Sequence, residues 1–268
     1  MTLRLTTWNI NSVRLRIGQV ERLLETVQPD VLCLQETKVA DPLFPAKDFD
    51  AFGYPHHAIA GQKGYHGVAI LSRIPFTEID KTDWCGKGDA RHVRVKLDGG
   101  IEVHNFYVPA GGDIPDPDEN EKFAHKLDFL DEVKDWFTAN RSGERDKMIL
   151  VGDLNVAPLE SDVWSHKQLL KVVSHTPVEV EKLTALQDSL DWVDSMRAFV
   201  PEPERLYTWW SYRARDWRAA NRGRRLDHVW VTPPLKDNLQ SMQIHEDARD
   251  WEKPSDHAPV TVELDVTL

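Results

Sequence analysis

Polar side chains recur in this sequence where apolar, strand-like segments break off. Asn9 and Asn11 follow LRLTTW, Glu36 follows VLCLQ and Tyr107 ends IEVHNF. Asp153 and Asn155 follow MILVG, Asp227 heads HVWV, and Asp256-His257 precedes APVTVEL. Strand ends are where open α/β sheets commonly place ligands and chemistry. Oxygen donors dominate and no Cys/His cluster accompanies them, which suits a hard divalent cation such as Mg²⁺, with Mn²⁺ as the alternative. A phosphodiester is an unreactive anionic ester. Its hydrolysis needs an activated water, positive charge near the phosphoryl oxygens and help for the leaving alkoxide. Carboxylates with a metal, an Asp–His pair and donors such as Asn and Tyr supply all three. Singly, each motif has an ordinary structural reading. Asp153 and Asn155 are good turn formers, Glu36 with Lys38 makes a solvated ion pair, Asp256-His257 makes a cap, and Tyr107 makes a core tyrosine. Their joint occurrence in one chain carries the chemical reading.

The elements that must hold these residues are readable from periodicity. Residues 3–8 form a first strand. Val13, Ile17, Val20, Leu24 and Val27 recur at steps of four and three, so an amphipathic helix is expected from a Ser12 N-cap to the stop at Gln28-Pro29-Asp30. Residues 31–35 are a second, buried strand, and the helical unit between the two strands implies a crossover within one sheet. Residues 40–66 are loop-rich. Strands follow at 67–72, 76–82, 91–97 and 101–108, the last two joined as a hairpin through Asp98-Gly99-Gly100. PAGGDIPDPDE at 109–119 is a surface loop, and Phe123, Leu127, Leu130, Val133 and Phe137 mark a long helix. The central segment, 148–158, is a short strand buried on both faces that breaks at Gly152 and closes at Pro158. Helices at 165–173 and 181–196 and strands at 226–231, 240–245 and 258–266 complete the chain. No repeat or linker interrupts it, so residues 1–268 are expected to form one α/β domain of roughly ten strands, with helices outside two sheets.

The 268 residues carry 33 basic and 44 acidic side chains, a formal charge of −11. That excludes a general nucleic-acid coating protein but not an enzyme with a local basic surface. The densest such stretch lies between Arg213 and Arg225, where six arginines (213, 215, 218, 222, 224 and 225) face one acid, Asp216, close to Trp209, Trp210 and Trp217. Arg213 and Arg218 are taken as its contacts to a polyanion. No run of about 18 apolar residues spans a membrane, the N-terminus lacks the pattern of a secretory signal, and Cys33 sits in an apolar run as a buried thiol. A cytoplasmic, monomeric enzyme is expected.

In order along the chain, TWNINSVR, LQETK, GQKGYHGVAILS, NFYVPAGG, GDLNVAP, RRLDHVWV and SDHAPV resemble the exonuclease III family of DNA repair nucleases, within the endonuclease/exonuclease/phosphatase superfamily. The resemblance runs from about residue 3 to 265. It implies a four-layered α/β sandwich, two packed, mostly antiparallel mixed sheets flanked by helices, with the active site at one rim. It implies cleavage 5′ of abasic sites and at 3′ termini of duplex DNA. Glu36 would be the principal metal ligand, with Asn9 and Asp256 near the ion. Asp153 would position or deprotonate the attacking water, with Asn155 holding it. His257, oriented by Asp227, would contact the scissile phosphate, and Tyr107 would donate to that phosphate or steady the leaving oxygen. Trp209 and Leu226 would wall the pocket for a base-less sugar, while Trp210 packs in the core. Asn11 and Lys38 complete the expected substrate-binding set. Asp113 stands where relatives often carry an arginine that touches DNA. The alternatives are a superfamily phosphodiesterase or phosphatase acting on another substrate, and a catalytically inactive nucleic-acid-binding relative.

Overall fold

The computed structural model describes residues 2–268. One sheet contains β1 (Thr2–Asn9), β2 (Val31–Gln35), β3 (His56–Ala60), β4 (Val68–Ser72), β13 (Leu239–Ile244) and β14 (Val260–Asp265), in the order β13-β14-β1-β2-β4-β3. The other contains β5 (Phe76–Asp80), β6 (His92–Leu97), β7 (Glu102–Tyr107), β8 (Met148–Asp153), β9 (Val193–Asp194) and β12 (Asp227–Val231), in the order β5-β6-β7-β8-β12-β9. Each sheet has one parallel pair, β1 with β2 and β7 with β8, and is otherwise antiparallel. A ribbon of β10 (Trp209–Trp210) and β11 (Gly223–Arg224) stands apart from both.

The sheets pack face to face because their strands are apolar on two sides. Leu3, Leu5, Val31, Cys33, Val68 and Ile70 meet Val93, Val95, Val103, Ile149, Val151 and Val229 in the core between the sheets. The alternate residues face outward, as period-two geometry requires. On the first sheet Trp8, Leu32, Leu34 and Leu71 pack under α1 (Ile17–Val27) and α2 (Ala46–Ala51). On the second, Phe106, Met148, Leu150 and Trp230 pack under α3 (Glu121–Asn140) and α5 (Pro177–Asp188). The result is the expected four layers. Shorter helices α4 (His166–Leu169), α6 (Ser195–Phe199) and α7 (Trp217–Ala220) lie in the connections.

Several boundaries differ from the sequence expectation. The first helix starts at Ile17, not after Ser12. Ser12 adopts φ 87° and gives its N–H to the Glu36 carbonyl at 2.7 Å, and Val13 N–H pairs with Thr37 O at 3.2 Å, so residues 12 and 13 extend the strand pairing, and a turn closed by Arg16 N–H on Val13 O at 3.2 Å delays the helix to Ile17. Gln28, left-handed at φ 53°, ends it as expected. The loop-rich stretch 40–66 contains β3 and α2, whose short apolar runs His56–Ala60 and Phe49 were too weak to register. The helix expected over 165–173 holds only four residues. The one expected over 181–196 begins earlier, at Pro177, because Thr176 and Glu179 form a reciprocal capping box, and it stops at Asp188.

Candidate active site

Strand register brings the expected residues to one rim. Tyr107 on β7 pairs laterally with Asp153 on β8, which pairs with Asp227 on β12. On each strand these side chains continue the inward series, Val103–Tyr107, Ile149–Val151–Asp153 and Asp227–Val229–Val231. On the facing sheet, Leu3–Leu5–Asn9 and Val31–Cys33 run toward the same end, and Asn9 lies level with Gln35, one residue before Glu36. The rim is thus the polar end of the inter-sheet core. Gly152 is required there: its φ is 137°, and a Cβ would sit 1.9 Å from the Phe106 carbonyl oxygen, so any side chain would force β8 off β7 just before Asp153. Asn11, Glu36, Lys38 and Asn155 all turn through positive φ, between 47° and 54°. Backbone strain therefore occurs where these functional side chains leave their strands.

The side chains form one connected network. His257 Nδ1 donates to Asp227 Oδ2 at 2.8 Å, and its Nε2 lies 3.6 Å from Asp153 Oδ2. Asn9 Nδ2 donates to Asp153 Oδ2 and to Glu36 Oε1, both at 2.9 Å, and Tyr107 OH donates to Glu36 Oε1 at 2.9 Å. Lys38 Nζ lies 2.7 Å from Glu36 Oε2 and donates to Asn11 Oδ1 at 2.6 Å. Asn11 Nδ2 and Trp209 Nε1 donate to the two oxygens of Asp256 at 3.1 and 2.9 Å. The Asn155 backbone N–H fixes Asp153 Oδ1 at 3.0 Å, while Asn155 Nδ2 donates to Val108 O at 2.9 Å.

Electrostatics divides these groups by role. Burial alone would lower the His257 pKa, but Asp227 and Asp153 outweigh it and raise it to about 10, so the imidazole is a cation at neutral pH. Burial, aided by the Asp227 charge and opposed by His257 and Asn9, raises Asp153 to about 7. Burial also works against ionised Glu36, yet Lys38 and the Asn9 amide prevail and hold it below its ordinary value. Asp256 is likewise held low, its burial offset by His257, Trp209 and Asn11. Burial, with Glu36 and Asp153 close by, pushes Tyr107 well above its usual range and keeps it a hydrogen-bond donor.

The donor set fits a hard cation. Glu36, Asp153 and Asp256 offer carboxylate oxygens and no thiol is present. Asp153, Asp227 and His257 also bring ligand atoms within 4.8 Å of one another. In this trio His257 Nδ1 is bonded to Asp227 Oδ2 and its Nε2 faces Asp153 Oδ2, so the cluster adjoins the Glu36 side of the rim and adds carboxylate oxygens to the donor set. Asn9 sits between the carboxylates. The Asn11 backbone N–H, which can only donate, meets Asn9 Oδ1 at 3.1 Å. The Asn9 NH₂ therefore faces the carboxylates, and Asn9 ties Glu36 to Asp153.

Above the rim opens a cleft of about 870 Å³, lined by Glu36, Tyr107, Asp153 and His257 on its floor. Trp209 and Leu226 form a wall together with Trp164, and Trp210, buried beneath, borders the cleft as well. The arginine segment divides. Arg213, Arg222 and Arg224 line the cleft, with Arg222 over the Trp164 ring at 4.8 Å and Arg224 over Trp209 at 5.2 Å. Arg218 does not line it and instead lies 2.7 and 2.8 Å from Asp250 and Asp247. Arg225 is fully buried on Asp162 and Asp194. Asp113 does line the cleft, so an acid stands at that edge. Trp164 and Arg16 were missed by sequence reasoning. Trp164 stands alone in an aperiodic stretch, and Arg16 sits within a helical pattern. It nonetheless binds the carbonyls of Ile10, Asn11, Lys253 and Pro254, tying the Asn11 turn to the segment that carries Asp256.

The chain matches the endonuclease/exonuclease/phosphatase family over residues 6–257. It is 31% identical to exodeoxyribonuclease III of Haemophilus influenzae, over 98% of this chain and 100% of that one. An AP endonuclease from Archaeoglobus fulgidus superposes with a TM-score of 0.92 at 35% identity, covering 98% of this chain and 100% of the other. The 3′ phosphatase NExo from Neisseria, solved bound to product DNA hairpin, superposes at 0.90 with 32% identity and the same coverage. With the match spanning residues from both sheets and the rim, this chain belongs to the endonuclease/exonuclease/phosphatase family.

Proposed function

We propose that this protein is a metal-dependent DNA repair nuclease that hydrolyses phosphodiesters 5′ of abasic sites and at 3′ termini of duplex DNA. The observation that carries the reading is the juxtaposition of an imidazolium–carboxylate cluster and oxygen donors on the floor of a cleft walled by tryptophans and arginines. Relatives named exodeoxyribonuclease III and AP endonuclease support it. Glu36 would anchor the ion, with Asp256 beside it; Mg²⁺ is the proposed ion and Mn²⁺ the alternative. When bound, such an ion neutralises phosphoryl charge and acidifies a water.

This chain's own groups perform the rest. Asp153, basic near neutrality and held at Oδ1 by Asn155 N–H, accepts the proton of the attacking water. His257 stays cationic on Asp227 and donates from Nε2 to a phosphoryl oxygen. Tyr107 OH, which donates to Glu36, steadies the phosphate or the leaving oxygen. A deoxyribose without its base is compact and apolar on one face, so it suits the wall of Trp164, Trp209 and Leu226. Arg213, Arg222 and Arg224 would hold neighbouring phosphates, a task for which the planar guanidinium is suited. The DNA contact is local because the net charge of −11 gives no general attraction. The arginine-lined cleft favours a polyanion over the small phosphate esters of other superfamily members. The enzyme is proposed to work as a cytoplasmic monomer.

A duplex carrying one abasic-site analogue tests the reading when incubated with Mg²⁺, with Mn²⁺ or with chelator. One cut 5′ of the lesion is expected with metal and none with chelator. Glu36→Gln should lower the rate, with added metal restoring part of it. Robust cleavage in excess chelator would overturn the metal-dependent mechanism.

A further inference from the structure

Beneath the cleft, Lys126 and Glu179 form an ion pair whose side chains are both fully buried. Such a pair is weak evidence of stability, since two apolar residues of the same volume often serve as well. What distinguishes this one is what it holds. Lys126 Nζ, reaching up from α3, donates to the Asn155 carbonyl at 2.8 Å and lies 3.4 Å from Ala110 O. Asn155 is the residue whose N–H fixes the Asp153 carboxylate and whose φ of 54° is uncommon for a non-glycine residue. Glu179, on α5, accepts from Ser174 N–H at 2.9 Å and from Thr176 Oγ1 at 2.7 Å. Ser174, at φ 89°, accepts at Oγ from Arg224 Nη1 at 2.7 Å. Arg224 lies over Trp209, whose indole N–H holds Asp256.

We propose that Lys126 and Glu179 are positioning residues for the cleft. One arm runs through Asn155 to Asp153. The other runs through Ser174 to Arg224 and Trp209. The pair thereby fixes the proton acceptor relative to the wall that receives the substrate. The inference rests on the proposed roles of Asp153 and Arg224. A pair that served stability alone would leave the turnover of each folded molecule unchanged, so turnover is the discriminating readout.

The test uses the full-length protein, a duplex with one abasic-site analogue, and Mg²⁺. Lys126→Met/Glu179→Gln removes both charges together and leaves no buried charge unpaired. Thermal unfolding gives its folded fraction. Per folded molecule, kcat should fall by about 10- to 100-fold, the range expected when a remote change displaces a reacting group by about an ångström, with KM little changed. Lys126→Arg, which restores a donor to the Asn155 carbonyl, should recover part of that kcat. Ser174→Gly accommodates the positive φ while removing the hydroxyl. It tests the second arm even if the double variant does not fold, and it should raise KM several-fold more than it lowers kcat. Parental kcat in a folded double variant, or parental KM in Ser174→Gly, would overturn the inference. A parent protein that does not cleave would instead sink the proposed function.

Discussion

The strand-end cluster and the arginine segment 213–225 are both dense in charge and both stand out in the sequence, yet the fold treats them oppositely. Every carboxylate and the histidine of the first converge at one rim, because adjacent strands fix their lateral neighbours: Tyr107, Asp153 and Asp227 are level with one another by ladder pairing alone. The second has only the two-residue β11 and the four-residue α7 to order it. Its guanidiniums go to whatever the tertiary structure offers. Arg225 is buried on two aspartates, Arg218 is drawn to an exposed acidic group, Arg224 bonds Ser174, and Arg213 and Arg222 line the cleft, neither ion-paired among the described residues. Backbone periodicity places side chains; composition alone does not.

The largest effect should come from the arginine that composition most misrepresents. Arg225 donates from Nε and Nη2 to fully buried Asp162 at 2.7 and 2.9 Å and from Nη1 to the partly buried Asp194 at 2.6 Å. Arg225→Met leaves Asp162 with Arg197 as its remaining ion-pair partner. Removing one partner of a buried pair costs about 3–5 kcal/mol. Urea unfolding should show a loss of that order. A stability near that of the parent would mean that Arg225 is dispensable to the fold, and the division between the two regions would be false.

Next in size is the rim itself. Deleting a group that stabilises the transition state commonly costs about 10²–10³-fold in rate. His257→Ala and Asp153→Asn should each lower kcat by at least that order while leaving DNA affinity nearly intact. Asp227→Ala should resemble His257→Ala, because Asp227 acts through the imidazole it orients at 2.8 Å. The Asp227/His257 double variant should then be little worse than either single one. Fully additive losses in that cycle would show that the two side chains work separately, and the rim would be a collection of groups instead of a unit.

The rim was legible in the sequence to the extent that strands were. Glu36, Asp153 and Asp227 adjoin runs such as VLCL, MILV and HVWV, whose continuous apolarity announces strands buried on both faces, and the side chains at their ends follow. What could not be read was the atom each residue would present. Asn9, placed near the ion by the resemblance, gives its NH₂ to two carboxylates, an orientation set by one backbone N–H in the turn that follows. The failure at residues 12–16 has the same origin. Apolar spacing there fits a helix, but pairing with the 36–37 backbone is competing and wins. Trp164 joined the cleft through an isolated bridge of its neighbour Val163 to Arg224, a contact between distant loops with no local signature.

The smallest effect is the sharpest test of how the arginines divide. Each phosphate neutralised on duplex DNA contributes about −0.9 to the slope of log affinity against log salt. Arg213 and Arg222 line the cleft, and among the described residues neither is ion-paired with a carboxylate, so both are available to phosphate. Arg213→Gln/Arg222→Gln should weaken binding to a non-cleavable duplex and flatten the slope by about 1 to 2 units. Arg218 makes the informative control. Its guanidinium spans Asp247 and Asp250, with Glu246 at 3.9 Å, and it stacks on Trp217 at 4.5 Å. To reach DNA it would have to abandon those partners, and with them there it adds little net positive field. Arg218→Gln should leave the slope unchanged and alter stability little, as exposed pairs do. Both proteins would be titrated across the same salt series with metal withheld, so that binding is read without cleavage. If Arg218→Gln flattens the slope as much as the double variant does, the acidic group releases its arginine when DNA arrives. The DNA surface would then extend past the cleft edge toward Asp250, and the two halves of the segment would not be distinct.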